Sequence, residues 1–341
     1  MRRLIPRALY PGRDRVGEQN NSLEYPAQVP VFDGVDWWGI PSLLRAGLFL
    51  RRQRPDVVLL QWWTGAVLHS YVVLSVLARM LGSRIVIEFH EVQDTGEARI
   101  PLVGLYTRFG ARAVVRLSAG ALVHSEFDKN AVRRVYPLGD RPVQVVAHGP
   151  FDHHVLDGAL AQPTERQTEP GVTRLLYFGT IRPYKGLEHL VEAFQSLEDD
   201  EARRFRLSIV GETWEGWDEP VRSARAGRHS ERIDIVNRYV HDDEIARFFA
   251  DSDVVVLPYL RSSASGPLHI AMAGGLPVVV SDVGGLRDAA EGYTGVTWVT
   301  PGDVPGLRSA LLSLAATDRV LHQDPRSWAD NVAALDAVLS G

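Results

Sequence analysis

The sequence predicts a parallel α/β protein built from two domains. Short apolar runs alternate with stretches of helical periodicity along most of the 341 residues, which is the pattern of parallel α/β folding. A chain of this length exceeds one ordinary α/β core and divides into two domains of about 150 residues each. A stretch without apolar periodicity, 157–173, is rich in Ala, Gln, Thr, Glu and Pro and predicts a linker between them.

The first half of the chain carries four apolar runs with the length of buried strands. They are Asp56–Gln61, Arg84–Phe89, Gly120–His124 and Val143–Ala147. Helical periodicity predicts helices at Pro41–Arg54, Ala66–Leu81, Leu102–Leu117 and Phe127–Tyr136. Residues 1–35 have the character of a loop interrupted by prolines, with at best a short strand at Val29–Phe32. We therefore expect the first sheet to lack an opening element and to leave some apolar surface uncovered.

The second half follows the same alternation. Its predicted strands are Arg174–Phe178, Arg206–Gly211, Ile233–Val240, Val254–Pro258, Pro277–Ser281 and Val296–Val299. A final amphipathic helix is predicted over Ser327–Leu339, with Trp328, Val332, Leu335 and Val338 at helical spacing. These patterns give a first domain over 1–156, the linker over 157–173, a second domain over 174–318 and a terminal segment over 319–341.

The most informative segment is Tyr177–Gly186. A buried strand ends at Gly179, a short loop carries Arg182 and Lys185, and Gly186 opens a helix with a continuous apolar face. A helix N-terminus offers unpaired N–H groups and a partial positive charge, to which the two side chains add full charges. The segment predicts an anion site, and the natural anion is the diphosphate of an activated donor. An alternative stays open, in which both cations are simply solvated.

A second loop has matching properties. The strand at Val254–Pro258 leads into Ser263–Gly266 and then into a helix from Pro267 to Ala273, with Pro at the usual first helical position. Small residues allow a ligand to approach the backbone, so the amides of this loop can cradle phosphate or sugar oxygens. Gly284–Gly285 opens one more such turn. Loops after parallel strands lie together at the carboxyl edge of the sheet, where open α/β sheets bind ligands.

Residues from about 172 to 317 resemble the donor-binding half of the family 4 glycosyltransferases. The carrying residues are Gly179, Lys185, Gly186, Gly211, Asp251–Pro258, Ala271–Val279 and Gly284–Gly285. The resemblance implies the GT-B architecture, α/β with two Rossmann-like domains facing across a cleft, and a terminal helix that crosses back to the first domain. It also implies transfer of a sugar from a nucleotide-diphosphate donor to an acceptor hydroxyl, with retention of the anomeric configuration.

The chain departs from the family pattern in the donor site. Two glutamates with seven residues between them usually flank the loop-to-helix turn in the family, and their positions hold Ser262 and Ile270. Isoleucine accepts no hydrogen bond and serine offers one hydroxyl, so neither replaces a carboxylate. His269 is a candidate substitute, although its side chain points about one hundred degrees round the helix from that of Ile270. Thr180 stands where the family has an arginine, with Arg182 two positions later. The family's opening glycine-rich turn is also absent from residues 1–35.

Three predicted strands of the first domain end in histidine-containing turns. The histidines are His90, His124 and His148, and Glu91 follows the first of them. His90 best matches the family histidine near the donor sugar, where it bonds a hydroxyl or phosphate oxygen; a base role applies only to an inverting enzyme. His124, His148 and Glu91 are candidates for the acceptor side or the cleft. A purely structural role stays open for each.

The predicted site combines both domains. We expect His90, Arg182 and Lys185 to act in catalysis. The expected donor contacts are Gly179, Thr180, Tyr239, Val240, Ser262, Ser265, Gly266, Pro267 and His269. Tyr239 and Val240 end a predicted strand, and the resemblance implies that the following loop lies against the nucleoside base, where Tyr239 can stack; an ordinary core tyrosine is the open alternative. Asp242 or Asp243 is expected to cap the next helix. No metal cluster with the usual ligand spacing is found, so we expect neither a metal nor another cofactor.

Composition excludes several other classes of protein. The formal net charge of −5 gives no reason to expect a nucleic-acid binder, and the absence of cysteine excludes disulfides. Residues 1–6 lack the apolar core of a signal peptide, and the longest apolar stretch, Ala66–Leu81, falls short of a membrane span. We expect a cytoplasmic protein. Arginines 108, 112, 116, 133 and 134 hint at contact with the inner face of a membrane that carries a lipid-linked acceptor.

Two alternative functions stay open at this point. A nucleotide-sugar epimerase or hydrolase would use the same cleft without an acceptor. A catalytically impaired relative would bind nucleotide or glycan without turnover, as the missing glutamates and the missing opening element allow. The base, the sugar and the acceptor cannot be read from the sequence.

Overall fold

The computed structural model describes most of the chain from Ala27 onward. The described residues are 27–32, 34–35, 39–63, 65–90, 101–151, 169–214, 216–315 and 320–340. The chain divides into two compact units. One comprises Met1–Ala147 with Ala329–Gly341, and the other comprises His148–Trp328. Glu91 and the predicted linker up to residue 168 lie outside the described residues, and the predicted domain boundaries stay predictions.

The first unit is built on a parallel sheet with strands in chain order. The strands are β1 (Val57–Trp62), β2 (Arg84–Phe89), β3 (Gly120–Val123) and β4 (Val143–Val145), and they lie side by side as β1-β2-β3-β4. The helices are α1 (Ile40–Gln53), α2 (Leu68–Met80), α3 (Pro101–Leu117) and α4 (Glu126–Val135). A 3₁₀ turn, Gly65–Val67, precedes α2. Residues 29–32 contain no strand.

Both faces of this sheet are covered by apolar side chains. Ile85, Ile87 and Phe89 point to one face, where they pack with residues of α2, α3 and α4. Val86 points to the other face and packs with Val338, which lies on the last helix of the chain, Trp328–Ser340. Alternation along a strand therefore gives each face its own core, one of which depends on the end of the chain.

The second unit is a doubly wound parallel sheet. Its strands are β5 (Thr173–Phe178), β6 (Phe205–Val210), β7 (Ile233–Val236), β8 (Val254–Leu257), β9 (Val278–Ser281) and β10 (Val296–Val299). Its helices are α5 (Leu187–Gln195), α6 (Asp199–Ala202), α7 (Glu219–Ala226), α8 (Asp242–Ala250), α9 (Gly266–Ala273), α10 (Leu286–Ala289) and α11 (Val304–Ser313). The last helix of the chain, α12 (Trp328–Ser340), belongs to the first unit from Ala329 onward. The spatial order is β7-β6-β5-β8-β9-β10, in which the winding direction reverses between β5 and β8.

Helices cover both faces of the second sheet. Leu175 and Tyr177 contribute to a core with α5, α7 and α11, whereas Leu176 and Phe178 contribute to a core with α8, α9 and α10. Adjacent residues of β5 thus enter different cores, which explains why this strand is a continuous apolar run. The expected fold class, α/β with two parallel-sheet domains, is confirmed.

Two local predictions in this unit are wrong. The strand predicted as Ile233–Val240 ends at Val236, because its partner β6 ends at Val210, the last residue in register with it. The cap of α8 is His241, which forms a reciprocal capping pair with Glu244; the predicted caps Asp242 and Asp243 lie inside the helix. In addition, α5 ends at Gln195, so Leu197 enters the core from the turn that follows.

Candidate donor site

The candidate site of the second unit lies where the winding reverses. Residues 179–186 follow β5, and residues 258–265 follow β8, which is the neighbour of β5 in the sheet. Parallel strands bring both loops to the same carboxyl edge, at the topological switch point where ligands bind in such sheets. The two loops named by the sequence are therefore neighbours in space.

Backbone contacts fasten these loops together. The amide of Leu260 donates to the carbonyl of Tyr184 at 2.9 Å, and the amide of Gly285 donates to the carbonyl of Ser262 at 3.1 Å. On the other side, the amide of Ile181 donates to the carbonyl of Glu212 at 2.9 Å. The loops after β6, β5, β8 and β9 thus form one connected rim.

The glycines of this rim serve two different purposes. A Cβ on Gly186, Gly211 or Gly284 would lie within about 2 Å of a carbonyl oxygen of a neighbouring loop, and all three have positive φ. These glycines allow the loops to pack against one another. By contrast, a Cβ on Gly266 meets nothing within 4 Å, and one on Gly179 meets only Pro267, at 3.7 Å. Gly266 and Gly179 are the glycines at which the backbone borders open space.

Aromatic rings hold the cations of the rim. The Nζ atom of Lys185 lies 3.9 Å from the centroid of the Tyr259 ring, and the guanidinium carbon of Arg182 lies 4.1 Å above the Trp214 ring. Arg261 lies 5.1 Å from the ring of Tyr184. Among the described residues, none of these three cations forms an ion pair with a carboxylate. The positive charges are positioned without being neutralised.

Arg182 also has an unsatisfied donor. Its Nε atom is buried, and no described residue accepts a hydrogen bond from it. A buried donor that lacks a partner costs free energy, on the order of 1–3 kcal/mol and more for a charged group. An anion that approached Arg182 would remove this cost.

The loop after β8 ends in a well-formed helix cap. Ser265 is the N-cap of α9, its Oγ accepts from the amide of Leu268 at 3.3 Å, and the Tyr259 hydroxyl lies 3.2 Å from the same oxygen. Gly266 and Pro267 form the first turn, so the amide of Gly266 lies at the positive end of the helix. Thr180 and Ser262 are half-buried, and the Ser262 hydroxyl donates to the carbonyl of Ala264 at 2.7 Å.

Other predicted donor residues have different surroundings. Val240 is buried in the core beneath α8 and α9, whereas the Tyr239 ring is 41% exposed and lies edge-on to His241. His269 is buried; it stacks on Phe151, lies 5.0 Å from the ring of His148, and receives a hydrogen bond from Arg326, which is itself paired with Asp324. These contacts give His269 a packing role, and its role toward a donor stays a prediction.

A polar row occupies the carboxyl end of the first sheet. The Nε2 of Gln61 donates to Glu88 at 2.6 Å, and the Oε1 of Gln61 accepts from the Nε2 of His90. His124 donates from Nδ1 to the carbonyl of Val146 at 3.1 Å, and its Nε2 lies 3.2 Å from the Nδ1 of His90. Trp63 stacks on the His90 ring at 4.1 Å. Both ring nitrogens of His90 therefore face other side chains of this unit.

Burial shifts the pKa values of His90, His124 and Glu88 in the directions that favour their uncharged forms. It lowers the pKa of His90 to about 3, with a further lowering from nearby His124, and it lowers the pKa of His124 to about 4 against the opposing hydrogen bond to Val146. Burial also raises the pKa of Glu88, against the lowering effect of Gln61. The imidazoles of His90 and His124 are consequently uncharged at neutral pH.

Sequence reasoning missed several residues of both sites. Trp214, Tyr184, Tyr259 and Arg261 complete the cationic rim, and Gln61 and Glu88 complete the polar row. Tyr259 stands in the apolar run after β8, which gave the only signal that could have marked it. Tyr184 and Arg261 lie in the two loops that the sequence singled out, whereas Trp214, Gln61 and Glu88 lie in no recognisable motif.

Comparison with known proteins places this fold among the GT-B glycosyltransferases. The structure is similar to the Anabaena protein HepE in complex with UDP-glucose, with a TM-score of 0.62 and 16% identity over 88% of this chain and 82% of that one. It is also similar to the sucrose-phosphate synthase of Thermosynechococcus elongatus, with a TM-score of 0.60 and 18% identity over 88% of this chain and 75% of that one. At these identities the likeness concerns the fold.

Sequence comparison relates the second unit to known proteins. Residues 172–317 match the family model described as glycosyl transferases group 1. GDP-mannose:glycolipid 4-beta-D-mannosyltransferase of Xanthomonas campestris pv. campestris is 33% identical over 38% of this chain and 37% of its own length. The glycogen synthase of Mycobacterium tuberculosis is 25% identical over 80% of this chain and 64% of its own length. The matched region is similar to a group 1 glycosyltransferase domain, and the chain spans less than two thirds of either relative.

Within the described residues, no helix combines the length and the apolar character needed to cross a membrane.

Proposed function

We propose that this protein transfers a sugar from a nucleotide-diphosphate donor to an acceptor hydroxyl, with the donor diphosphate bound at the rim of the second sheet. The cationic rim carries the proposal, because Arg182 and Lys185 stand on aromatic rings with no carboxylate partner among the described residues. The Anabaena protein HepE, which has a similar fold, was solved in complex with UDP and in complex with UDP-glucose. The similarity of 172–317 to a group 1 glycosyltransferase domain supports the same reaction.

The diphosphate would be bound by charge and by backbone amides together. Arg182 and Lys185 supply two positive charges, and the first turn of α9 supplies the N–H of Gly266 beside the open space at that residue. As the bond to the sugar breaks, negative charge grows on the departing diphosphate. Donors that are already oriented stabilise this charge without rearrangement.

We further propose that the anomeric configuration is retained. The segments Gly179–Gly186 and Pro258–Gly266 contain neither aspartate nor glutamate, so they supply no carboxylate base. His90 has both ring nitrogens directed at Gln61 and His124, and we therefore assign it no base role; its contact with a donor sugar stays a prediction. NMR of the first product formed, before any mutarotation, reports the configuration, and an inverted product would contradict this assignment.

Lysine content makes donor binding directly measurable. The chain contains two lysines, Lys129 and Lys185. Lys129 lies in the first unit, where it pairs with Glu126. Reductive methylation with ¹³C-formaldehyde would label the two side chains and the N-terminus. Titration with UDP and GDP is expected to shift the Lys185 methyl signal while the Lys129 signal stays fixed. A titration in which neither nucleotide moves the Lys185 signal would contradict the proposed site.

A membrane contact is our proposal for the acceptor side, and it uses a face other than the arginines singled out in the sequence. On α1, Ile40, Leu44 and Leu48 are 71%, 65% and 58% exposed at a spacing of four residues, and α2 beside it exposes Val76 and Met80. Neither helix contains an acidic residue, and arginines 45, 51, 52 and 79 are exposed on them. An apolar face flanked by cations is typical of a helix that lies on an anionic bilayer.

Vesicle flotation tests this contact. The intact chain is expected to float with phosphatidylglycerol vesicles and not with phosphatidylcholine vesicles, and added salt should weaken the binding. Leu44→Glu with Leu48→Glu should abolish flotation, whereas Val332→Glu, at an equally exposed valine of α12, should not. Equal flotation of both variants would overturn the proposal. So would a dimeric mass in light scattering that falls to the monomer in Leu44→Glu with Leu48→Glu, because this face would then join two copies.

A further inference from the structure

Arg261 is a third cation at the rim, in addition to the two assigned to the donor diphosphate. It forms no ion pair with any described carboxylate, and its guanidinium carbon lies 5.1 Å from the centroid of the Tyr184 ring. The Nζ atom of Lys185 lies 5.4 Å from the same centroid. One tyrosine ring therefore has a cation from each of the two loops beside it, and the two cations are neighbours.

The backbone on both sides of Arg261 is fixed by hydrogen bonds. The amide of Leu260 donates to the carbonyl of Tyr184, and the carbonyl of Ser262 accepts from the amide of Gly285. Because these residues flank Arg261, its Cα atom is held between the loops that follow β5 and β9. An exposed side chain on an unattached loop would have no defined position, whereas this one starts from a fixed point on the rim.

The charge of the proposed reaction changes as it proceeds. The diphosphate of a nucleotide sugar carries two negative charges, one on each phosphate. When the bond between the sugar and the diphosphate oxygen breaks, its electron pair stays on that oxygen, and the acceptor oxygen forms the new bond to the sugar. The acceptor proton passes to the departing diphosphate and then to water, because the last pKa of a terminal phosphate is about 6. The product therefore carries about three negative charges at neutral pH.

We propose that Arg261 is a catalytic residue that binds the negative charge gained by the diphosphate as the sugar departs. This assignment rests on the proposed sugar transfer. Arg182 and Lys185 match the two charges that the donor already carries, whereas Arg261 matches the charge that appears only in the transition state and in the product. A contact that strengthens only as the bond breaks raises kcat and leaves the donor KM nearly unchanged.

Binding of product and donor by the intact chain tests this assignment. Calorimetric titrations compare UDP with UDP-glucose, and GDP with GDP-mannose, at about pH 8 and at about pH 5, on either side of the phosphate pKa. At the higher pH we expect the nucleoside diphosphate to bind about tenfold more tightly than its nucleotide sugar. The preference should fade at the lower pH, where the terminal phosphate gains a proton and loses the third charge. Arg261→Gln should remove the preference by weakening the product alone.

Arg287→Gln is the matched control. Arg287 also lies over an aromatic ring, with its guanidinium carbon 4.9 Å from the centroid of Trp298, but it is paired with Asp282. Its charge is therefore neutralised, and the product preference should persist in this variant. In steady-state turnover of the nucleotide sugar, Arg261→Gln should lower kcat about tenfold without a change in KM. Arg261→Lys, which keeps the charge, should restore part of the rate.

Equal weakening of product and donor in Arg261→Gln would overturn the proposal, and so would a parent chain without product preference at the higher pH. A third contrary result is an Arg261→Gln variant that matches the parent in both titrations. Each of these results leaves nucleotide binding intact and contradicts the role of Arg261 alone. A parent chain that binds neither nucleotide would contradict the proposed sugar transfer as well.

Discussion

At the scale of single residues, the cationic rim shows how charge is kept available. Arg182 and Lys185 lie on the faces of Trp214 and Tyr259, which attract a cation without cancelling its charge. Elsewhere in the described residues arginines pair with carboxylates, as Arg206 does with Asp234 at 2.6 Å. A cation held on a ring stays oriented and can still attract an anion. This difference distinguishes the rim from an ordinary solvated surface.

Replacement of Lys185 is the prediction that belongs to this scale. Lys185→Ala should reduce transition-state stabilisation by on the order of 2–4 kcal/mol, because a charged contact to a developing anion is lost. Steady-state turnover of the nucleotide sugar measures the effect. Lys129→Ala is the matched control, since it removes the chain's other lysine, which lies in the first unit. Unchanged turnover in Lys185→Ala would remove this lysine from the mechanism.

At the scale of elements, the loops after β5, β6, β8 and β9 act as one rim. Their glycines fall into two groups, those that pack loop on loop and those that border open space. A motif of spaced glycines in the sequence does not reveal this division. The glycines that pack loop on loop hold the loops with the cationic residues in place. The glycines that border open space leave room for a ligand.

Two alanine substitutions separate these groups. Gly186→Ala places a methyl group 1.9 Å from the Pro258 carbonyl at a positive φ, and it should destabilise the second unit by on the order of 3 kcal/mol. Gly266→Ala meets no protein atom and should change stability by less than about 0.5 kcal/mol. It should nevertheless weaken nucleotide binding about tenfold, a loss near 1.4 kcal/mol.

Urea unfolding and calorimetric titration with nucleoside diphosphates give the two readouts. The division of the glycines would be wrong if both variants lost the same stability. It would also be wrong if Gly266→Ala bound nucleotide as tightly as the parent chain.

At the scale of the whole molecule, the chain's end completes the first unit. Val338 of α12 is fully buried with Val86, Leu122 and Val146, on the sheet face opposite the larger core. Gly120 is small because an added Cβ would lie 2.7 Å from both Val338 and the Pro142 carbonyl. Stability of the first unit therefore depends on residues about two hundred positions away in sequence.

Val338→Asp should destabilise the first unit selectively. A buried, unpaired carboxyl in place of an apolar side chain should lower the stability of that unit by on the order of 3 kcal/mol. Hydrogen exchange followed by mass spectrometry should show faster exchange in β2 and β3, with β5 and β8 unchanged. Val332→Asp, at an exposed position of the same helix, is the control. Equal effects of the two variants would exclude this packing role for Val338.

Most elements of the fold could be predicted from the sequence because each is encoded locally. The strands β2 and β10 are short and mostly apolar, and their predicted limits agree with the structure. The loop between β5 and α5 was also recognisable, since glycine, arginine and lysine lie within ten residues. The end of β7 was not, because the apolar Val240 resembles a strand residue while it packs against α8 and α9.

Tertiary structure alone decided which side chains act together. Lys185 and Tyr259 are distant in sequence, and only the adjacency of β5 and β8 brings them within 3.9 Å. The row of Gln61, Glu88, His90 and His124 likewise depends on the register of three strands. Local pattern determines an element because neighbouring residues share one backbone conformation. A site needs the order in which strands pair, and that order is set by long-range packing.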